Sequence, residues 1–581
     1  MLFSSEVSRR SFVVGAAAFG FCPRCVLAGE KPFLKFGVMT DTHVRREEWS
    51  AKRVRGAFKV FRDQGVDVIG HCGDLADCHY DEAYRYYRAA LETTYPDKAT
   101  RPELLYVYAG HDALNPNAQD PSNHATRLYD EKTAYKWMRE KLAIEHGLYF
   151  EKVIRGIPFI VTPQHWELVD GGRKFVADRV KAVCAANPGK PVVFMTHTPP
   201  AGTVYTSSSW GSSAITDLLS KYPQVISFTG HSHGSLRNEL SIWQGAFTAV
   251  DVCCLQQWEG SCVGQYPSSK QAFDVLVAEF YPSRIVLRRF DVRDGSEYRA
   301  DDPWIVPLPF DAKTAPFAYD RRKAAEKPVS FAAGAAIDVK TDKAPFDKVT
   351  VAFPAASDED RVFKYRIRLA RKAKDGWENF AMGEVFSEFY QRPADRKGTF
   401  SFAFSSMYFP EGEPVRIRVE PVGFFETVGK SIERVWSAKG GVKPVSTWTS
   451  EHPMDEFPVV YHWWPRNAQE YNDAKPVKPK DGWIDCEGAF YWMTLPEKLF
   501  DVPKGTRFRI AVELRMKQDP RKDGVTLNVS GGKGMMTVPG DEGLVRYVSE
   551  FTTGEKNVPR RVILSKSAGK ARFERFILEQ L

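Results

Sequence analysis

Five short stretches of this 581-residue chain carry acids and imidazoles at spacings that suit a cation. They are Asp41-Thr42-His43, Gly73-Asp74-Leu75-Ala76-Asp77, Gly110-His111-Asp112, Thr196-His197 and Gly230-His231-Ser232-His233. An Asp and a His two apart at a strand exit can aim an oxygen and a nitrogen at one ion. Such mixed donors suit Zn, Mn or Fe. Two ions about 3.5–4 Å apart can acidify a shared water and clamp phosphoryl oxygens during in-line attack. Taken singly, each stretch has an ordinary reading: Asp41 as a helix cap, His197 as a core or loop histidine, Gly-Asp as a turn. Their common placement argues for more.

That placement comes from the elements before them. The apolar run Val66 to Ile69 ends in a glycine turn that delivers Asp74 at its tip. Phe33, Phe36 and Val38 mark a strand running into Asp41, and Leu104 to Tyr108 one running into His111. Pro158 to Val161 leads to Gln164-His165-Trp166, Val192 to Met195 to His197, and Val225 to Thr229 to His231. Helical periodicity separates them, over 48–64 (Val54, Ala57, Phe58, Phe61 on one face), 81–93, 130–143 and around Phe175 to Val183. Strands alternating with helices, with polar residues at strand ends, predict a layered α/β fold with its site at the carboxyl edge. The hairpin 273–287 closes this domain.

In order and spacing, the five stretches resemble calcineurin-like metallophosphoesterases, over roughly residues 33–295. The resemblance implies a four-layer α/β/β/α sandwich and two divalent or trivalent transition-metal ions (Mn, Fe or Zn). It implies Asp41, His43, Asp74 and His233 as ligands of the first ion, and Asp74, His197 and His231 as ligands of the second. His111, held by Asp112, would protonate the leaving oxygen or steady transition-state charge. The substrate would be a phosphomonoester or phosphodiester. His165 is a candidate for the substrate pocket, whereas His71 and His79 match no motif position.

One departure is plain. The family pattern is Gly-Asn-His-Asp or Gly-Asn-His-Glu, its Asn binding the second ion, and the aligned residue here is Gly110. Either water takes that place and the second ion binds more weakly, or a nearby group substitutes, with Asn115, Asn117, His165 and His79 the candidates. A third reading is a catalytically impaired metal-binding or glycan-binding surface protein.

A length of 581 residues exceeds one core, and 43% hydrophobic with 13% aromatic residues describes a folded chain. The net charge of +8 admits an anionic substrate without indicating nucleic acid. Residues 1–29 resemble a twin-arginine leader: Ser8-Arg9-Arg10-Ser11-Phe12 precedes an apolar stretch too short to span a bilayer. Periplasmic or secreted placement in a bacterium follows from that resemblance, and no run elsewhere reads as a transmembrane helix. Cys22-Pro23-Arg24-Cys25 lies in the leader, and a disulfide among Cys253, Cys254 and Cys262 stays open.

The catalytic domain is expected over 30–305 and a polar linker over 306–327. Two all-β sandwiches follow. Phe363, Tyr365, Ile367 and Leu369 alternate with basic residues, and residues 328–437 resemble a fibronectin type III module through Val349-Thr350-Val351-Ala352-Phe353-Pro354 and Val415-Arg416-Ile417-Arg418-Val419-Glu420-Pro421. Residues 438–581 resemble jelly-roll carbohydrate-binding modules in texture, with alternation at Phe508, Ile510, Val512 and Leu514. Tyr461, Trp463, Trp464, Trp483, Tyr491 and Trp492 read as sandwich core or as a sugar-stacking platform, so a glycan or envelope partner is considered. Gly531 to Gly534 lacks the context of a phosphate loop and reads as a turn.

Overall fold

The computed structural model describes residues 30–78, 81–115, 131–168, 170–252, 254–255, 273–456, 460–462, 476–477, 481–485, 491–517, 525–529, 536–538, 544–554, 561–565 and 570–581. The leader, His79, Asn117, Cys253, Cys262, Trp463, Trp464 and Gly531 to Gly534 lie outside them.

In chain order the first domain runs β1 (Leu34–Met39), α1 (Lys52–Gln64), β2 (Val68–His71), α2 (Asp81–Thr94), β3 (Glu103–Tyr106), α3 (Glu131–Leu142), β4 (Phe150–Ile154) and β5 (Ile157–Val161). It continues with α4 (Asp170–Ala186), β6 (Val192–Met195), α5 (Ser207–Trp210), α6 (Ser213–Leu219), β7 (Val225–Thr229), β8 (Ile242–Gln244) and β9 (Thr248–Asp251). The hairpin β10 (Asp274–Tyr281) and β11 (Arg284–Asp291) follows, then β12 (Glu297–Tyr298), β13 (Trp304–Pro307) and α7 (Tyr319–Ala325).

These strands form two sheets. One has the order β12-β11-β10-β1-β2-β3, with β13 on β11; the other is β4-β5-β6-β7-β9-β8. The neighbours β1, β2 and β3 are parallel, as are β5, β6, β7 and β9, so their carboxyl ends emerge together. The strands read as near-continuous apolar runs because both faces are covered. Phe36 and Val38 of β1 share one core cluster with Phe159, Val193 and Phe228 of the other sheet. The Phe36 ring meets Phe159 and Phe228 edge-on at 5.2 and 5.5 Å. Burying one such side chain contributes about 1.5–3 kcal/mol.

Each sheet's second face takes helices. Val54, Ala57, Phe58 and Phe61 of α1 pack with Tyr84, Tyr87 and Met138 of α2 and α3 on the first sheet. The α1 helix stops at Gly65, whose φ of 61° is the left-handed cap glycine adopts without penalty. Val176 and Val180 of α4, with Ile215 and Leu219 of α6, cover Ile160, Phe194 and Val225 of the second sheet.

The segment 306–327, expected as a linker, is a strap. Its first residues belong to β13, and Phe317 exchanges hydrogen bonds with Gln244 at the end of β8, each 3.1 Å long. Arg322 of α7 binds the Glu239 carboxylate, which also receives Arg289 at 3.2 Å, Arg299 at 3.0 Å and the Trp304 indole N–H at 3.1 Å. The strap lacks an apolar period because single anchors hold it: Val306 and Phe317 in the core and Arg322 on Glu239.

Beyond it the chain is built of β-sheets. Strands 338–341, 348–354 and 399–405 form one, and 376–386, 364–373, 414–422 and 432–437 another. Val349, Val351, Tyr365, Ile367, Leu369 and Ile417 fill one core with members from both. The last segment has a sheet of 446–450, 570–580, 507–517 and 544–552 with 484–485 attached, and a six-stranded sheet including 491–494, 561–565 and 525–529. Phe508, Ile510, Val512 and Leu514 point into its core. Trp483 lies under the Arg572 guanidinium, 5.1 Å from the ring centre.

Candidate metal centre

The strand exits force unusual backbone. Asp41 (φ 49°), His43 (φ 40°), Asp74 (φ 53°), His231 (φ 71°) and His233 (φ 52°) all occupy the left-handed region. There an L residue costs about 1–2 kcal/mol, so surrounding bonds must hold it. They do: Asp41 N–H donates to Gly73 O at 3.0 Å, and His43 N–H to Asp74 O at 3.1 Å. His231 N–H donates to Asp41 Oδ2 at 3.0 Å and His111 N–H to Asp74 Oδ1 at 3.0 Å. Each carboxylate thus binds a backbone N–H with one oxygen and turns the other inward. Glycine precedes Asp74 for two reasons: Gly73 has φ 100°, and a Cβ there would lie 2.7 Å from Ala109 Cβ and 2.8 Å from His197 Nδ1.

The inward atoms converge. Asp41 Oδ1 lies 3.1 Å from His233 Nε2, 3.6 Å from His43 Nε2 and 3.8 Å from His197 Nε2. Asp74 Oδ2 lies 3.1 Å from His197 Nε2 and 3.8 Å from His43 Nε2. Two of the resulting groups are Asp41–His43–His233 and Asp74–His197–His231, each with ligand atoms within 4.8 Å of one another. A third, His43–Asp74–His111, joins them. All six residues expected as ligands fall in these groups.

This donor set fits a cation. Asp41 Oδ1 and His197 Nε2 are buried without a hydrogen bond of acceptable geometry, although Asp41 Oδ1 faces His233 Nε2 and His197 Nε2 faces Asp74 Oδ2, each at 3.1 Å. Such atoms are costly to bury unless something shares them. Burial pushes the Asp41 carboxyl up, but His197 and His233 outweigh it and hold it well below the usual range. Burial pushes the His197 imidazole down, yet Asp74 and Asp41 raise it to about 10. A field that draws a proton to Nε2 also draws a metal, and the two compete for that atom. Burial, then His197, holds His231 down at about 3, in the neutral form a ligand needs.

Asp112 has another task than the one expected. Its buried carboxylate accepts from Ala76 N–H at 3.0 Å and Ala109 N–H at 3.2 Å, tying the two strand-exit loops together. The partner at His111 Nδ1 is Asp77, with its carbonyl at 2.9 Å and its Oδ1 at 3.5 Å. Asp77 also reaches His43 Nδ1 at 3.7 Å and Arg45 Nε at 2.9 Å. Burial lowers the His111 imidazole, but Asp74 and Asp77 raise it to about 9. With 38% of its side chain exposed, His111 is reachable by a substrate.

At Gly110 the structure supplies Gln164, a residue of the strand-exit stretch Gln164-His165-Trp166 that the sequence does not mark as a substitute for the missing asparagine. Gln164 Oε1 accepts from Gly110 N–H at 2.6 Å. The signal was its position at a strand exit of the same edge. His165 next to it is exposed, in left-handed backbone (φ 63°), and lies in the field of His197 and Asp74. Asn115 is partly buried just past the turn His111–Ala113. Trp210 sets its ring edge-on to His231 at 5.4 Å. His71 is a buried brace: Nε2 meets Thr42 Oγ1 at 3.1 Å, and Nδ1 accepts from Gly73 N–H at 3.2 Å.

A family model described as calcineurin-like phosphoesterase matches residues 34–235. No curated protein matches the chain. Among solved structures, the chain is similar to a dimetal phosphatase of Danio rerio at 13% identity and a TM-score of 0.32, over 48% of this chain and 99% of that one. It is similar to the purple acid phosphatase PPD1 of yellow lupin (Lupinus luteus) at 14% and 0.33, over 48% of this chain and 55% of that one. A C-terminal CBM6 of the laminarinase LamC from Zobellia galactanivorans is similar at 13% and 0.15, over 23% and 99%. The motif order, the family match and the converging carboxylates agree: residues 34–235 form a calcineurin-like metallophosphoesterase domain.

Proposed function

We propose that this chain is a dinuclear metallophosphoesterase that hydrolyses a phosphomonoester or phosphodiester. The observation that carries the reading is the pair of groups Asp41–His43–His233 and Asp74–His197–His231 at one sheet edge. In this reading Asp74 also serves the first group and so bridges the two. Manganese, iron or zinc ions held there would supply Lewis-acid charge to the phosphoryl group and lower the pKa of water. The chain's own residues do the rest. Asp77 fixes His111 through Nδ1, which assigns proton donation to the leaving oxygen to Nε2. Arg45, tied to Asp77, adds positive charge at the mouth, and His165 and Trp210 form walls of the substrate cleft.

The two sheets and their helix groups support the four-layer α/β/β/α order, over about 30–305. The C-terminal sheets support two β-sandwiches, 328–437 and 438–581. Export through the leader places the enzyme in the periplasm or outside the cell, where the last module would meet a glycan or another envelope component. Among the described residues no helix is long and apolar enough to cross a membrane.

The test is metal content of the purified chain together with hydrolysis of p-nitrophenyl phosphate and bis-p-nitrophenyl phosphate as manganese or zinc is added. Two ions per chain are expected, with Asp74→Ala lowering turnover by about a thousandfold or more, the loss of several kcal/mol of charge stabilisation. One ion and no turnover under any loading would sink the enzyme reading and leave the binding protein that Gly110 keeps in view.

A further inference from the structure

We infer that Gln164 supplies, through its side-chain amide oxygen, the second-site metal ligand that Gly110 lacks; this rests on the dinuclear reading above. Glycine at 110 is not required by its backbone, which has φ −60° and ψ −42°, ordinary helical values open to any residue. It is the space that is taken. A Cβ on residue 110 would lie 3.1 Å from Gln164 Oε1, so the glutamine amide occupies the volume beside the position where the family carries its asparagine.

The backbone sets Gln164 beside the strand exit that carries His197, a ligand of the second group. The segment after β5 runs beside the segment after β6: Thr162 N–H donates to Met195 O at 3.0 Å, and Thr196 Oγ1 to Pro163 O at 3.4 Å. Gln164 therefore leaves its strand alongside His197. Its own N–H is anchored on Tyr108 O at 2.8 Å, and the residue is buried with 9% exposure. The Gly110 N–H at 2.6 Å fixes the amide's orientation, because only the oxygen can accept from it. A carbonyl oxygen has a second lone pair, and that one is available to a cation. Asparagine and glutamine present the same neutral oxygen donor. The chain has moved it from one strand exit to the next.

Calorimetric titration of the metal-stripped full chain with Mn²⁺, and the electron paramagnetic resonance of the manganese-loaded protein, test this. The wild type should bind two ions and show a spin-coupled pair. Gln164→Ala should weaken the second ion about tenfold to a hundredfold, leave the first unchanged and yield the uncoupled spectrum. Gln164→Glu, which keeps an oxygen donor, should retain both ions. Gly110→Asn added to Gln164→Ala should restore the second ion, since the smaller residue makes room for the asparagine. A Gln164→Ala chain that binds both ions like the wild type would overturn the inference while the dinuclear reading stood. So would a loss that asparagine at 110 does not repair, because Gln164 would then only brace the loop. A wild-type chain that binds no ion would remove the dinuclear reading itself, and this inference with it.

Discussion

Asp41 and Asp74 each divide their oxygens between a backbone N–H and the centre. This division lets two acids survive burial: the outer oxygen is satisfied by the fold, and the inner one faces the imidazoles and the place a cation would take. The same economy governs His111, whose Nδ1 is committed to Asp77. Replacing His111 with glutamine should lower kcat about 10²–10⁴-fold with metal content unchanged, because proton donation is removed. Parallel metal analysis and hydrolysis measurements check it, and a loss of metal would make His111 a ligand instead. These roles differ in how far they can be read along the chain. Asp41, Asp74 and the histidines stand in motifs a few residues long. Asp77 and Gln164 act on partners 34 and 54 residues away, which no local spacing reveals.

Among the elements, the strap formed by β13 and α7 is tied to the catalytic domain in part through the partly buried carboxylate of Glu239. Burial alone would raise Glu239, but Arg289, Arg322 and Arg299, with the Trp304 N–H, hold it at about 2. A folded value depressed from 4.5 stabilises the fold at every pH above 4.5. That contribution is lost as pH falls towards 2. Glu239→Gln leaves three guanidinium groups without their shared counter-charge and should cost about 3–5 kcal/mol at neutral pH. Chemical denaturation should show that deficit shrinking below pH 4.5, and a constant deficit would rule out the charge as its source. The strap's sequence resembles a linker because its anchors, Trp304, Val306, Phe317 and Arg322, are scattered without a period, whereas α1 was legible from Val54, Ala57, Phe58 and Phe61 because an apolar face repeats.

Across the whole molecule, the segment that carries Trp210 to His231 is backed by the first β-rich segment. Tyr205 packs on Phe363 at 5.6 Å, within a cluster of Phe389, Tyr390, Phe424 and Phe425. Tyr319 of the strap meets Phe425 at 5.5 Å. The two C-terminal segments are joined in turn by Arg546, which pairs with Glu513 in the interior and accepts the Tyr408 hydroxyl at its carbonyl, 2.8 Å away. Phe363→Ala should cost about 3–5 kcal/mol and loosen this junction. Calorimetry should then resolve separate melting of the catalytic and β-rich parts; a single shifted transition would show that other contacts keep them cooperative.

By itself, the sequence determined which residues can reach a strand exit and what they can do there. Apolar periodicity is local, and an Asp or His at the end of such a run is placed by the run. Tertiary structure alone decided which exits meet. It set Asp77 rather than Asp112 at His111 Nδ1, brought Gln164 to Gly110, and turned a polar segment into a strap. Those choices follow from the stacking of two sheets, which brings together residues far apart in the chain and leaves no periodic trace in the sequence.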